Sequence, residues 1–337
     1  MRNSDKQLRR AVTIVIGFVI SALFLWIAGR NTDLSAVGAS FRSVKYWEMI
    51  PLATGMIIFY WVRTYRWKVL LAPISDVKTS EIFGPVMIGY GANFLLPLQL
   101  GEIARTLAAR DRTGLTFMPI AFSIIVERLF DFLVILFALS LALAFHESLP
   151  KYLSDLGVAV GTIVLVLLFL TVVFVLRTEA VLRLVNRLII FLPKNVQELV
   201  LRQLRIGSEG LQSVRHRRTL LLATVTSLAQ WSIIVFCIGV SLHAFELQVP
   251  LETLLLIVAL IVLGGTLPNA PGYIGSIQAG FVVALELTNG DPAKGIAASL
   301  FYHSVYAATA ISLGLFSLRH SGLNWKSITE IGREQVD

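Results

Sequence analysis

The chain has 337 residues, a formal net charge of +8, 56% hydrophobic residues and 15% charged ones. Soluble domains carry about 25% charged residues, so this chain cannot cover the surface of a water-soluble globule and reads as a polytopic, all-α membrane bundle. It contains no Gly-rich phosphate loop, no His/Cys pairs at metal-ligand spacing and no G-x-S-x-G, so no soluble catalytic site, metal or cofactor is expected. Its single cysteine, Cys237, excludes an intramolecular disulfide.

Arg2, Lys6, Arg9 and Arg10 precede the apolar run 11–28. No small-x-small cleavage site follows, which predicts an uncleaved first helix with a cytoplasmic N-terminus. Further full spans are expected at 46–62, 118–145, 157–176, 220–243 and 296–318. Arg63, Arg66, Lys68 and Lys78 mark 63–81 as a cytoplasmic connection. The 177–219 stretch holds nine basic and three acidic residues, so it is also placed inside. Within it, Val181, Val185, Leu188 and Leu192 recur at helical spacing, as in a helix lying on anionic lipid, although a plain basic connector would look the same. Arg319, Lys326 and Arg333 put the C-terminus inside, giving a membrane domain over 1–318 and a tail over 319–337. A multi-pass protein of the cell (cytoplasmic or inner) membrane follows.

With both flanks inside, the chain must cross an even number of times between 81 and 177, yet three apolar segments lie there. The segment that fails to span is predicted to be 82–112, broken near LLPLQLGE by Pro97 and Gly101 and read as a re-entrant pair. A second segment, 251–288, is broken at TLPNAPGYIG by Pro268, Pro271, Gly272 and Gly275, and can be re-entrant or two short crossings. The expected count is about six full spans plus two broken pairs, about eight membrane segments in all. Two re-entrant pairs entering from opposite faces would allow an inverted repeat; simple kinks are the alternative.

Ionisable residues in apolar spans mark functional sites by default. Glu102 and Arg105 are three apart, Glu127 and Asp131 share a helix face, and Arg128 is three from Asp131. The plainer reading of each is an internal ion pair that holds a broken helix to its neighbour. The second half offers Asn269, Tyr273, Gln278, Glu286, Tyr302, His303 and Tyr306. A lone His in a span is more often hydrogen-bonded scaffold than a titrating group. Trp26, Tyr46, Trp47, Tyr60, Trp61 and Trp67 fall at expected membrane boundaries and read as belt anchors.

GYGANFLLPLQLGEIAR, ERLFD, LPNAPGYIG and FYHSVY, in this order, resemble the flippase-like family named for the transmembrane region of lysylphosphatidylglycerol synthetase. The resemblance covers about residues 10–318. It implies broken helices around a central cavity and movement of lipids between leaflets. Fused members add a cytoplasmic aminoacyl-transferase domain; only about twenty residues follow the last expected helix, so a stand-alone member is expected that does not synthesise lysyl-lipid. The family's polar positions fall on Asn93, Pro97, Gly101, Glu102, Arg105, Glu127, Arg128 and Asp131. Three positions depart: Gln99, Gln278 and His303 stand where the family commonly has Arg, Glu and Arg. If the last two pair, a neutral contact replaces an ion pair here.

The leading expectation is a non-enzymatic translocase for an anionic or modified phospholipid or a polyprenyl-phosphate-linked lipid. Arg105 and Arg128 would meet the phosphate, with Glu102, Glu127 and Asp131 holding them. Asn93, Gln99, Asn269, Tyr273, Gln278 and His303 complete the expected substrate contacts. The alternatives are an intramembrane lipid-modifying enzyme with Glu102 or Asp131 as base, or a membrane subunit of a separately encoded glycosyl- or aminoacyl-transferase. No nucleic-acid partner is expected, because the basic excess sits mainly in the 177–219 loop.

Overall fold

The computed structural model describes residues 2–96, 100–146, 149–189, 197–198 and 217–321. Every regular element among them is a helix. The expected spans are embedded in α1 (Arg2–Gly29), α3 (Met49–Leu71), α6 (Phe117–Phe145), α7 (Lys151–Leu176), α9 (Arg217–Ala244) and α12 (Pro292–Ser321). Counting only the described residues, α6, α9 and α12 are long and apolar enough to cross a membrane. A fourth candidate arises if α1 is joined to the short α2 (Leu34–Ser40), which is bent from it by 80°. That is fewer than the eight segments expected. One reason is that α3 carries Arg63, Arg66 and Lys68 in its second half. Another is that both broken segments consist of helices too short to cross alone.

The first broken segment is α4 (Thr79–Leu95) with α5 (Gly101–Thr113), of 17 and 13 residues. The second is α10 (Leu251–Thr266) with α11 (Ser276–Leu287), of 16 and 12 residues, joined through a 3-10 turn at Pro271–Tyr273. A single crossing takes about 20 residues. In each pair the second arm packs back along the first. In the first pair Gly89 and Gly101 touch: a Cβ on Gly101 would lie 2.0 Å from the Gly89 carbonyl oxygen, so only glycine lets these arms close. In the second, Gly272 adopts φ +74°, a left-handed turn that other residues resist. The two tips meet, with the Phe94 ring edge-on to Tyr273 at 6.1 Å. Ser21 of α1 braces the second break by accepting a 2.8 Å hydrogen bond from the Ala270 amide.

Two sequence expectations need correction. The span placed at 46–62 runs on to Leu71, so Arg63 and Arg66 lie inside the bundle and not in a cytoplasmic loop. Their charges end an apolar run, but facing carboxylates neutralise them, as described below. Tyr60 and Trp67 are likewise fully buried, whereas Trp26, Tyr46, Trp47 and Trp61 are exposed as belt residues would be. The basic stretch does begin with an amphipathic helix, α8 (Thr178–Leu188), on which Arg183 and Arg187 are exposed and Val181 and Val185 half-buried. Leu192 lies outside the described residues. Large apolar side chains face outward along α1, α6, α7 and α9, including Phe18, Phe132, Phe169 and Phe236. Soluble monomers rarely expose such a surface, and a bilayer accounts for it.

Candidate functional site

Helix α6 is almost wholly apolar, yet it places Glu127 and Asp131 one turn apart on its inward face, 0% and 4% exposed. Two buried carboxylates require counter-charges. From α3, Arg63 reaches Glu127 Oε1 at 2.5 Å and Asp131 Oδ2 at 3.2 Å. Arg66, one turn further on, forks onto Asp131 with Nη1–Oδ1 and Nη2–Oδ2 distances of 2.7 and 3.1 Å, and donates to Ser227 Oγ at 2.9 Å. From α5, Arg105 donates to both oxygens of Glu127 at 3.2 and 2.7 Å, and its guanidinium lies 3.8 Å from the centre of the Trp67 ring. Helix α9 completes the shell: Gln230 Nε2 and Trp231 Nε1 donate to Asp131 Oδ1 at 2.6 and 3.0 Å.

Three buried arginines face two buried carboxylates, so this core cluster keeps one positive charge. Adding the half-exposed Arg128 and its partner Glu102 leaves that balance unchanged. The cluster backs a cavity of about 550 Å³, whose wall carries Arg63, Arg128, Asp131 and Tyr90. Ile234, Ile238, Val258, Ile261 and Val262 line it with apolar surface, and Trp231, Tyr273, Tyr302 and Tyr306 with aromatic surface. A charged patch within an otherwise apolar chamber suits an amphipathic ligand.

The sequence-derived residues therefore separate by position. Arg128, Asp131 and Tyr273 lie on the cavity wall. Glu127 and Arg105 stand behind it, paired with one another, and Glu102 tethers Arg128 from α5. Asn93 holds the first break together, its Oδ1 accepting the Gly101 amide at 2.8 Å. Asn269 does the same for the second, donating to the Gly264 and Leu267 carbonyls at 3.0 and 2.8 Å. Gln278 Oε1 accepts the Gly275 amide at 2.8 Å, and Gln278 Nε2 meets His303 Nδ1 at 3.1 Å, the neutral contact expected. Gly101, Pro268, Pro271, Gly272 and Gly275 occupy the two breaks. Pro97 and Gln99 lie outside the described residues.

Sequence reasoning missed Arg63, Arg66, Tyr90, Ser227, Gln230 and Trp231. The usable signal was charge balance. Two carboxylates within an apolar helix need partners, and R-x-x-R in a neighbouring helix presents two guanidinium groups on one face. Among the described residues, no three His, Cys, Asp or Glu side chains group as a metal site.

The family model for the lysylphosphatidylglycerol synthase TM region matches residues 14–314 of the chain. The chain belongs to this family. No curated protein and no solved structure matched. Membership makes the protein a membrane-embedded, multi-pass protein with a lipid-related function, and the match spans the ion cluster, the cavity and both broken hairpins. In this member of the lysylphosphatidylglycerol synthase TM-region family, the contact between Gln278 and His303 carries no fixed charge.

Proposed function

We propose that the protein is a lipid translocase whose cavity receives a polar headgroup while the lipid tail stays in the bilayer. The observation that carries this reading is the 550 Å³ chamber, mostly apolar and aromatic, with Arg63 and Arg128 on its wall. Arg128 is half-exposed, so it has donor capacity for a phosphate, and Arg63 adds its positive charge to the same wall. Arg105, forked onto Glu127 and set back from the residues that line the cavity, positions the cluster instead of contacting lipid. The substrate class remains an anionic or modified phospholipid, or a polyprenyl-phosphate-linked lipid, supplied by a separately encoded lipid-modifying transferase.

In this reading the two hairpins are re-entrant and enter from opposite faces as an inverted repeat, their tips meeting at Phe94 and Tyr273. The protein sits in the cell membrane with both termini cytoplasmic. With Arg63 and Arg66 removed from the topology count, that sidedness rests on Lys68 and Lys78, the 177–219 loop and the terminal basic residues. The enzyme alternative is less well supported. Asp131 already accepts from Arg66, Gln230 and Trp231, and Glu102 is paired with Arg128, so neither is a free base.

The full chain reconstituted in vesicles is expected to make headgroups accessible to a membrane-impermeant reagent while leaving lipid masses unchanged. Arg128→Gln should slow this by roughly tenfold, since a charge-assisted hydrogen bond contributes about 1.5–3 kcal/mol. Wild-type rates in Arg128→Gln, or rates no faster than protein-free vesicles for the wild type, would overturn the proposal. A new lipid species in the mass spectrum would favour the enzyme.

A further inference from the structure

The second break is closed by two linked polar contacts. The Gly275 amide donates to Gln278 Oε1 at 2.8 Å, which fixes the orientation of the Gln278 amide group. Its Nε2 therefore faces His303 Nδ1 as a donor at 3.1 Å, and Nδ1 must accept. In this arrangement His303 meets Gln278 as a neutral imidazole. Protonation would place a second N–H on Nδ1, donor against donor. Gln278 cannot answer by flipping, because its oxygen is already held by Gly275.

We infer that His303 is a proton-binding site whose occupancy unlatches the tip of the second broken hairpin. The ring's hold on Gln278 does not survive protonation. Gln278 is 4% exposed, so a lost partner there costs more than it would in water. Gly275, at φ +94°, then loses the side chain that anchors its amide. The effect reaches the other hairpin, because Phe94 packs against His303 at 6.0 Å and against Tyr273 at 6.1 Å.

The groups around the ring leave it as the titrating element at mildly acidic pH. Helix α4 brings Phe94, α11 brings Gln278, the turn brings Tyr273, and α12 itself carries Tyr302 and Tyr306. Tyrosines stay neutral in that range. Arg63 and Arg128 line the adjoining cavity wall, and the carboxylate that lines it with them, Asp131, is already held by Arg63, Arg66, Gln230 and Trp231. The closed turn therefore prefers the neutral ring, and falling pH favours the opened one. For the translocase reading, on which this consequence rests, the coupled ion would be a proton.

Hydrogen–deuterium exchange on the full chain in lipid nanodiscs tests the latch without requiring lipid movement, so it can fail or succeed independently of the translocase proposal. Peptides covering 267–278 are compared at about pH 7.5 and about pH 5.5, either side of the ordinary histidine range, after correction for intrinsic exchange chemistry. Wild type should open roughly tenfold more at the lower pH, and His303→Asn should not respond. Gln278→Glu should reverse the sign, because a carboxylate can accept from both the Gly275 amide and a protonated His303. This second variant keeps the test decisive if His303→Asn does not fold. A flat wild-type response, a His303→Asn response equal to wild type, or a Gln278→Glu response of the wild-type sign would overturn the inference.

Discussion

Replacing Glu127 by Ala is expected to destabilise the protein by about 3–5 kcal/mol, the cost of breaking a buried ion pair by removing one partner. Glu127 is 0% exposed and is contacted by Arg63, Arg66 and Arg105 from two other helices. Without it, Arg63 and Arg66 would share the carboxylate of Asp131, and Arg105 would be left with Glu102 at 4.0 Å. The same substitution also removes the buried tie between α5 and α6, because Arg105 has Glu127 as its bidentate partner, and leaves only the more exposed Glu102–Arg128 pair between the charged groups of these helices. Arg128→Ala is the matched control. That side chain is 48% exposed and its removal should cost under about 1 kcal/mol. Melting temperatures of the two purified variants, followed by loss of the monodisperse peak on heating, check the contrast. Equal stability would show that the cluster does not hold the bundle.

Gly101→Ala should produce the next largest loss. The added methyl would sit 2.0 Å from the Gly89 carbonyl oxygen and 2.4 Å from Asn93 Oδ1. The first contact is backbone, so it cannot be relieved by a rotamer change. The arms of the first hairpin must separate, which breaks the 2.8 Å bond from the Gly101 amide to Asn93 and shifts Arg105 one turn away. Overpacking costs about 1–3 kcal/mol and more where backbone must move, so the upper end of that range or beyond is expected. Gly38→Ala, with nothing within 4 Å of the added carbon, should be nearly neutral in the same melting assay.

Parts of this architecture are legible in the sequence because they depend on local chemistry. Pro and Gly clusters interrupt 82–112 and 251–288, and both become pairs of short helices folded back on themselves. The acidic residues of α6 stand out against an apolar span, and the structure places them at the centre of the ion cluster. What escapes is information that lies in pairing between helices. Hydropathy ends a span at Arg63 because a charge in lipid is costly. That cost disappears when Glu127 and Asp131 lie opposite, a fact no single window contains. Tyr60 and Trp67 look like belt aromatics for the same reason: only once α3 is known to continue inward does Trp67 become the platform beneath Arg105. The bend between α1 and α2 is also a tertiary feature, although Asp33 accepting from the Ser35 amide at 2.8 Å is a local helix start.

The arginines placed to meet a ligand are not the pair that chain position suggests. Position along the chain puts Arg105 and Arg128 together, beside Glu102 and Asp131. Geometry separates them: Arg105 is forked onto Glu127 behind the cavity, whereas Arg63 and Arg128 share the cavity wall. Binding and scaffold roles thus fall on different residues of one connected cluster, which is why stability and headgroup handling should respond to different substitutions.

The central claim is that a lipid headgroup enters the chamber beside Arg63 and Arg128. It is tested most directly by a phospholipid with a photoreactive headgroup, mixed into vesicles holding the full chain and mapped by mass spectrometry after illumination. The expected result is labelling of the cavity wall, at Tyr90, Arg128, Trp231 and Tyr302. Labelling confined to outward-facing residues such as Phe169, Val225 and Phe236 would contradict it.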